Sequence, residues 1–373
     1  MNRRLILLSC LVILTISLAA CTNTATSSSG STNTLSPGTA STQPTPLPAI
    51  MATGQFREFA LPQPNSGMMR PAIDHEGRIW FGEMGHNYLA VFNPHIATFQ
   101  QYIPPHGRNG IMGILVGPDD TIWFAEQYAN YIGHFFPTSG TYHIYSLPTL
   151  SVPDPSDASK TLTLPSAPND LAQDKQGNLW FTELNADAIG KLDPHTGLVQ
   201  QYPLSPSKSV QKLNPYGITV DPQGTIWFTE SSTGRVGRLD PSTGKLQFFT
   251  PSGSSYSLME IASDPQGMLW ITSFTSGLLL RLNPQSGTFT PYFAPYTGSE
   301  AGGIYGLMIA SNGEIWLTIS AENTIARFDT TTHQFIYYAI PTKGSLPLGL
   351  VMGSNHTLWF TEAGSDKIGM LQP

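Results

Sequence analysis

Five carboxylates recur at one position of this 373-residue chain. Glu83, Glu126, Glu183, Glu230 and Glu362 each close a Trp-Phe-x-Glu phrase, while Ser273 and Ile319 stand at the two equivalent places. Repetition of this kind argues for a structural task, such as accepting backbone N–H bonds from the loop that follows. A Mg²⁺ or Ca²⁺ site would instead need a few unique oxygen ligands converging on one point. Asn169 and Asp170 in Pro168-Asn169-Asp170 are the best such candidates, because two oxygen-bearing side chains there interrupt a repeated pattern. Glu362 is a secondary candidate. Among the nine histidines, His86 in Gly85-His86-Asn87 and His106 in Pro105-His106-Gly107 occupy loops where a ligand contact or general base would be placed. The others fall in turns and outer strands and read as solvated.

The elements that must position these groups are set by the seven tryptophans. Trp80, Trp123, Trp180, Trp227, Trp270, Trp316 and Trp359 follow one another at steps of 43, 57, 47, 43, 46 and 43 residues. That is the period of a four-stranded propeller blade. Around Trp227 the unit reads strand 216–220, turn Asp221-Pro222-Gln223-Gly224, strand 225–230, a polar loop, strand 235–239, turn 240–244 and strand 245–249. The Asp-Pro-x-Gly turns use Pro to preset φ and Gly to supply positive φ. The prediction is an all-β, seven-bladed propeller in which each Trp is a packing residue. The last unit lacks a fourth strand, and Gln55 to Pro62 matches the outer strands, so the N-terminal strand is expected to close the last blade and remove an open edge. Because no blade buries both faces alone, residues 51–373 should fold as one domain.

Residues 1–20 do not fit the repeat. Arg3 and Arg4 precede an apolar run that ends in Leu18-Ala19-Ala20-Cys21, which resembles a bacterial lipoprotein signal, with cleavage before Cys21 and acylation of its thiol. Cys10, the other cysteine, would leave with the signal. Residues 21–50 are rich in Ser, Thr and Pro and carry no charge, so they read as a disordered tether with a reach of roughly 30 Å. Loss of Arg3 and Arg4 leaves 16 basic against 25 acidic side chains, a net charge of −9. Such a surface disfavours nucleic acid and anionic lipid. The expectation is a monomer in the cell envelope, outside the cytoplasm, held to a bacterial membrane by its lipid alone.

The Leu/Ile-Trp-Phe-Thr-Glu phrases, Ile189-Gly190-Lys191-Leu192 and Pro215-Tyr216-Gly217-Ile218 resemble the streptogramin B lyase (virginiamycin B lyase) family. The resemblance extends over nearly all of residues 54–373 and implies a seven-bladed propeller that opens a cyclic depsipeptide by metal-assisted elimination. It also implies that the chemistry sits at the heads of the inner strands, eleven residues before each Trp, with His in the last two blades, a Glu two residues before the final His and a Tyr in the first blade. Here those seven positions are Met69, Met112, Asn169, Tyr216, Met259, Tyr305 and Leu348, and Leu346 stands at the Glu position. Neither Leu nor Met can take a proton. The Pro-Asn-Asp phrase also resembles gluconolactonase-like propellers, whose divalent metal is held by Glu, Asn and Asp. The functional expectation is a binding module for a small-molecule or surface ligand at an adaptable axial mouth of Met and Tyr. The alternatives are a metal-dependent carbon–oxygen lyase or a gluconolactonase-like hydrolase using Mg²⁺ or Ca²⁺. An open pocket at Asn169, Asp170, Tyr216 and Tyr305 would favour binding, and a filled axis would favour a scaffold.

Overall fold

The computed structural model describes residues 48–105, 110–154, 157–204, 212–253, 256–295 and 303–373. Seven four-stranded antiparallel sheets follow the seven Trp units. Their inner strands are Met68–Ile73, Ile111–Val116, Pro168–Gln173, Pro215–Val220, Leu258–Ser263, Ile304–Ile309 and Pro347–Met352. Each is followed by the Trp-bearing second strand, then a third and an outer strand. In blade 7 the outer strand is Gln55–Ala60, which pairs antiparallel with Lys367–Gln372. The N-terminal strand therefore closes the ring, as expected. Two features went beyond expectation. Ile50–Met51 adds a short parallel strand to the outer edge of blade 6. The long 57-residue Trp step contains a hairpin, Thr149–Asp154 with Asp157–Pro165, inserted between blades 2 and 3.

Packing runs from blade to blade. Every Trp is at most 6% exposed. Trp80 packs against Ile111, Ile122 and Phe135 of blade 2, Trp227 against Leu258, Leu269 and Leu280 of blade 5, and Trp359 against Phe81 and Phe92 of blade 1. The last contact joins the ends of the ring. Burying a side chain of this size is worth roughly 5 kcal/mol before entropy is counted, so each interface is dominated by its Trp.

Two hydrogen-bond devices orient these interfaces. The turn aspartates Asp74, Asp174, Asp221 and Asp264 accept the indole N–H of the Trp six residues later at 2.7, 2.9, 2.9 and 3.0 Å. Their other oxygen accepts a backbone N–H within the turn, as Asp221 does from Thr225 at 2.8 Å. The same carboxylate thus shapes the turn and satisfies a buried donor. The second device is the Thr of the Trp-Phe-Thr phrase. Thr229 Oγ1 accepts the N–H of Gly217 at 2.9 Å and donates to the Met259 carbonyl of the next blade at 2.6 Å. Thr182, Thr272, Thr318 and Thr361 donate likewise to Tyr216, Tyr305, Leu348 and Met69. Blades 1 and 2 have Gly82 and Ala125 there.

The loop-rich end, where inner strands begin, is held by side chains as well. Asn130 Oδ1 accepts the Ser166 N–H, Asn323 Oδ1 the Ser345 N–H and Asp366 Oδ1 the Ser66 N–H, at 2.7–2.9 Å.

Candidate functional site

The first and second strands of every blade slip register at the same point. Met68 pairs with Glu83 and Pro71 with Phe81, so Met69 and Arg70 together oppose the single residue Gly82. The same shift recurs in the other six blades. A bulge of this kind re-aims side chains out of the sheet. Here it places two successive residues of each inner strand around the axis, in two layers.

The outer layer is the set of strand-head residues singled out from the sequence. Met69, Met112, Tyr216, Met259, Tyr305 and Leu348 form one buried cluster with Met84, each at most 8% exposed. Asn169 is fully buried beside them and donates from Nδ2 to the Tyr216 carbonyl at 2.9 Å. The Tyr216 and Tyr305 rings meet edge to face at 6.3 Å, and their hydroxyls are 2.5 Å apart. Burial pushes the Tyr216 hydroxyl up to about 12 and raises that of Tyr305 as well, so neither phenol serves as a base near neutrality. At this layer the axis is filled, the outcome that favours a scaffold over an open mouth.

The inner layer was only partly foreseen. Its residues are Arg70, Gly113, Asp170, Gly217, Glu260, Gly306 and Gly349. Arg70 donates to Glu260 Oε1 through Nε at 3.1 Å and Nη2 at 2.7 Å, and its Nε lies 3.5 Å from Asp170 Oδ1. These side chains are 10–13% exposed. Asp170 Oδ2 also accepts the Ile218 N–H at 3.0 Å, and the Arg70 guanidinium lies 5.1 Å from the Tyr216 ring. The remaining glycines permit close approach. A Cβ on Gly217 would sit 2.6 Å from the Met259 carbonyl oxygen, and one on Gly349 2.5 Å from that of Met69.

One guanidinium therefore serves two carboxylates. Burial, with the Asp170 charge adding to it, moves the Glu260 carboxyl up to about 7 despite the pull of Arg70. Two buried atoms of this region, Arg70 Nη1 and Asn169 Oδ1, have no hydrogen-bond partner among the described residues. A water or a small ligand group offering both a donor and an acceptor would satisfy them. Sequence reasoning found Asp170 but missed Arg70 and Glu260. The available signal was that four blades carry Gly at this place and three carry a charge.

The other candidates lie apart from this cluster. His86 is half-buried, with Nδ1 3.3 Å from Glu83 Oε2. The repeated carboxylates accept side-chain donors rather than the expected loop N–H groups: Gln101 on Glu83 at 2.7 Å, Gln201 on Glu183 at 2.6 Å, Arg235 on Glu230 at 2.7 Å and Ser365 on Glu362 at 2.9 Å. The reason is geometric: the third strand brings Arg235, the outer strands bring Gln101 and Gln201, and the loop after the second strand brings Ser365 alongside the buried carboxylates. Burial raises Glu183 and Glu362 to about 7 and Glu126 to about 8. His106 and Cys21 lie outside the described residues.

The model of the virginiamycin B lyase family matches residues 209–373, a span that contains blades 4 to 6 and the first three strands of blade 7. No curated protein sequence matches the chain. Among solved structures, a streptogramin B lyase is 26% identical with a TM-score of 0.73, over 86% of this chain and 97% of that one. A catalytically inactive virginiamycin B lyase from Staphylococcus aureus with quinupristin is 24% identical, with the same TM-score, over 86% and 99%. The extracellular domain of a hybrid two-component system protein from B. thetaiotaomicron shares the fold at 16% identity and a TM-score of 0.64, over 85% of this chain and 39% of that one. The chain thus resembles the virginiamycin B lyase family, in sequence over residues 209–373 and in fold around the whole ring.

Proposed function

We propose that this chain is an extracytoplasmic binding propeller, tethered to a bacterial membrane through acylated Cys21, that keeps the architecture of the streptogramin B lyases without their elimination chemistry. The observation that carries the loss of the elimination chemistry is the axial layer; because that layer is filled, the binding role in this reading is assigned to the loop-rich face above it and not to an axial mouth. The layer's seven positions hold three Met, two Tyr, one Asn and one Leu, none of which supplies a base near neutral pH; the Met, Tyr and Leu side chains form one packed cluster and Asn169 donates to the Tyr216 carbonyl. A divalent cation does not fit the neighbouring charged layer either, because Arg70 already sits against Asp170 and Glu260 and would repel it. Ligand recognition then falls to the loop-rich face around this layer, with Tyr216 and Tyr305 beneath it. The ligand of this reading is a small molecule or a surface component. Monomeric, nucleic-acid-free behaviour belongs to the same reading.

The resemblance to solved lyases supports the second reading, a metal-dependent carbon–oxygen lyase. One experiment separates the two: incubation of the protein with a streptogramin B and Mg²⁺, followed by mass spectrometry. An intact ring is the expected result. Linearisation by elimination at a rate approaching that of a lyase overturns the first reading. Anchoring is tested by Cys21→Ala, which should leave the processed protein in the soluble fraction.

A further inference from the structure

Four consecutive blades lay a basic side chain over their Trp. Lys191, Arg238, Arg281 and Arg327 lie 5.4, 5.6, 5.6 and 6.0 Å from the rings of Trp180, Trp227, Trp270 and Trp316. Each is the cross-strand partner of that Trp. In blade 6 the cation is neutralised, since Glu314, two residues before Trp316, accepts from Arg327 Nη1 at 2.7 Å. In blade 5 the same place is Met268. Arg281 has no ion pair among the described residues, whereas Arg327 does; the Nε of each is buried without an acceptor. Beside Arg281 the outer part of the blade opens into a surface cleft of about 290 Å³ lined by Met268, Arg281, Asn283 and the exposed Ser286, Thr288 and Thr290.

The lining is one cation, three hydroxyls, an amide and a thioether. A guanidinium with no acceptor among the described residues can recognise a planar oxyanion through two parallel N–H donors. Contact with the Trp270 face fixes the guanidinium before a ligand arrives, which lowers the entropy lost on binding. Ser286 Oγ donates to Thr288 Oγ1 at 3.0 Å and Asn283 Oδ1 accepts the Gln285 N–H at 2.9 Å. This leaves the Thr290 hydroxyl, the Thr288 O–H and the Asn283 Nδ2 to meet a ligand whose remaining surface is itself rich in hydroxyls. The volume lies at the small end of the range for small-molecule sites.

We propose that this cleft of blade 5 is an oxyanion site that takes a carboxylate borne on a hydroxyl-rich body, the chemistry of a uronic acid. It is independent of the axial reading and stands whether or not the loop-rich face binds anything.

The test is a thermal-shift titration of the full-length protein with sodium D-glucuronate, D-glucose and sodium sulfate at matched ionic strength. Glucuronate at about ten times its Kd should raise Tm by roughly 1–3 °C, and glucose should not. Met268→Glu should abolish the response without lowering Tm, because it recreates the Glu314–Arg327 pair of blade 6 and closes the cation internally. Arg281→Gln should also abolish it, and Arg281→Lys should retain part. No response of the wild-type protein to glucuronate, or a response unchanged in both Met268→Glu and Arg281→Gln, overturns the site. Sulfate acting as strongly as glucuronate overturns the part given to the hydroxyls.

Discussion

Around the ring, Trp180, Trp227 and Trp270 each donate to an aspartate six residues back at 2.9–3.0 Å. A few residues inward, the layer next to the axis reads Arg, Gly, Asp, Gly, Glu, Gly, Gly from blade 1 to blade 7. The blade bodies repeat because each must bury the same Trp against the next blade. The axis is one shared space, so a residue there answers to three or four blades at once and repetition has no advantage. Seven identical charges would repel; one cation between two anions leaves a single excess negative charge, which the upward shift of the Glu260 carboxyl lessens. The contrast separates residues that build a propeller from residues that individualise this one.

The largest effect should come from breaking the bodies' closure. Deletion of 55–61 removes the outer strand of blade 7 together with Phe56 and Phe59, which pack on Phe360 and on Phe92 and Trp359. Tm should fall by roughly 10 °C or more in differential scanning calorimetry. An unchanged melt would show that the ring closes without this strand.

Next in size is the axis itself. Arg70→Ala strands two partly buried carboxylates and should cost about 3–5 kcal/mol in denaturant unfolding. Adding Glu260→Gln should return a good part of that loss, since the two residues touch at 2.7 Å. Additive losses in the double-mutant cycle would mean that the ion pair is not the source.

The third prediction addresses the seam between the two regions. Thr229→Val leaves the Gly217 N–H and the Met259 carbonyl without their shared hydroxyl and should cost about 1–3 kcal/mol. Ala125→Thr in blade 2, where no such hydroxyl exists, should change stability little; a large loss in this variant would indicate that blade 2 has no room for the staple.

The last prediction is a pH slope. Burial holds Glu183, Glu260 and Glu362 at about 7 and Glu126 at about 8, against 4.5 for the free side chain. A folded-state value above the unfolded one means that the folded protein binds the proton more tightly. The corresponding stability is full below about pH 4.5 and is lost as pH rises through 7 to 8. Tm should therefore be higher at pH 5.5 than at pH 8.5, and Glu183→Gln with Glu362→Gln should flatten the slope. A rising profile over that interval would contradict the assignment.

Much of this was legible in the residues. The blade count, the N-terminal strand closing blade 7 and the strand-head positions all follow from the Trp period and the turn residues. The aspartate–indole bond was hidden in plain view: Asp stands six residues before Trp in four blades, but a turn aspartate already has a sufficient local reason to be there. The 149–165 hairpin announced itself only as an overlong Trp step. The charged layer was harder, because Arg70 falls in a strand whose sheet pattern gives no sign that a bulge turns it inward.

By itself the sequence determined the number of blades, the order of strands within each and the apolar faces between them, since each of these depends on neighbours within some fifty residues and on alternation along a strand. The tertiary structure decided that Arg70 and Glu260, 190 residues apart, share a hydrogen bond across the axis, that Tyr216 and Tyr305 join hydroxyls, and that the layer is filled rather than open. Those outcomes depend on the tilt and closure of a seven-membered ring, where small angles accumulate over the whole chain and no local pattern encodes the distance across the centre.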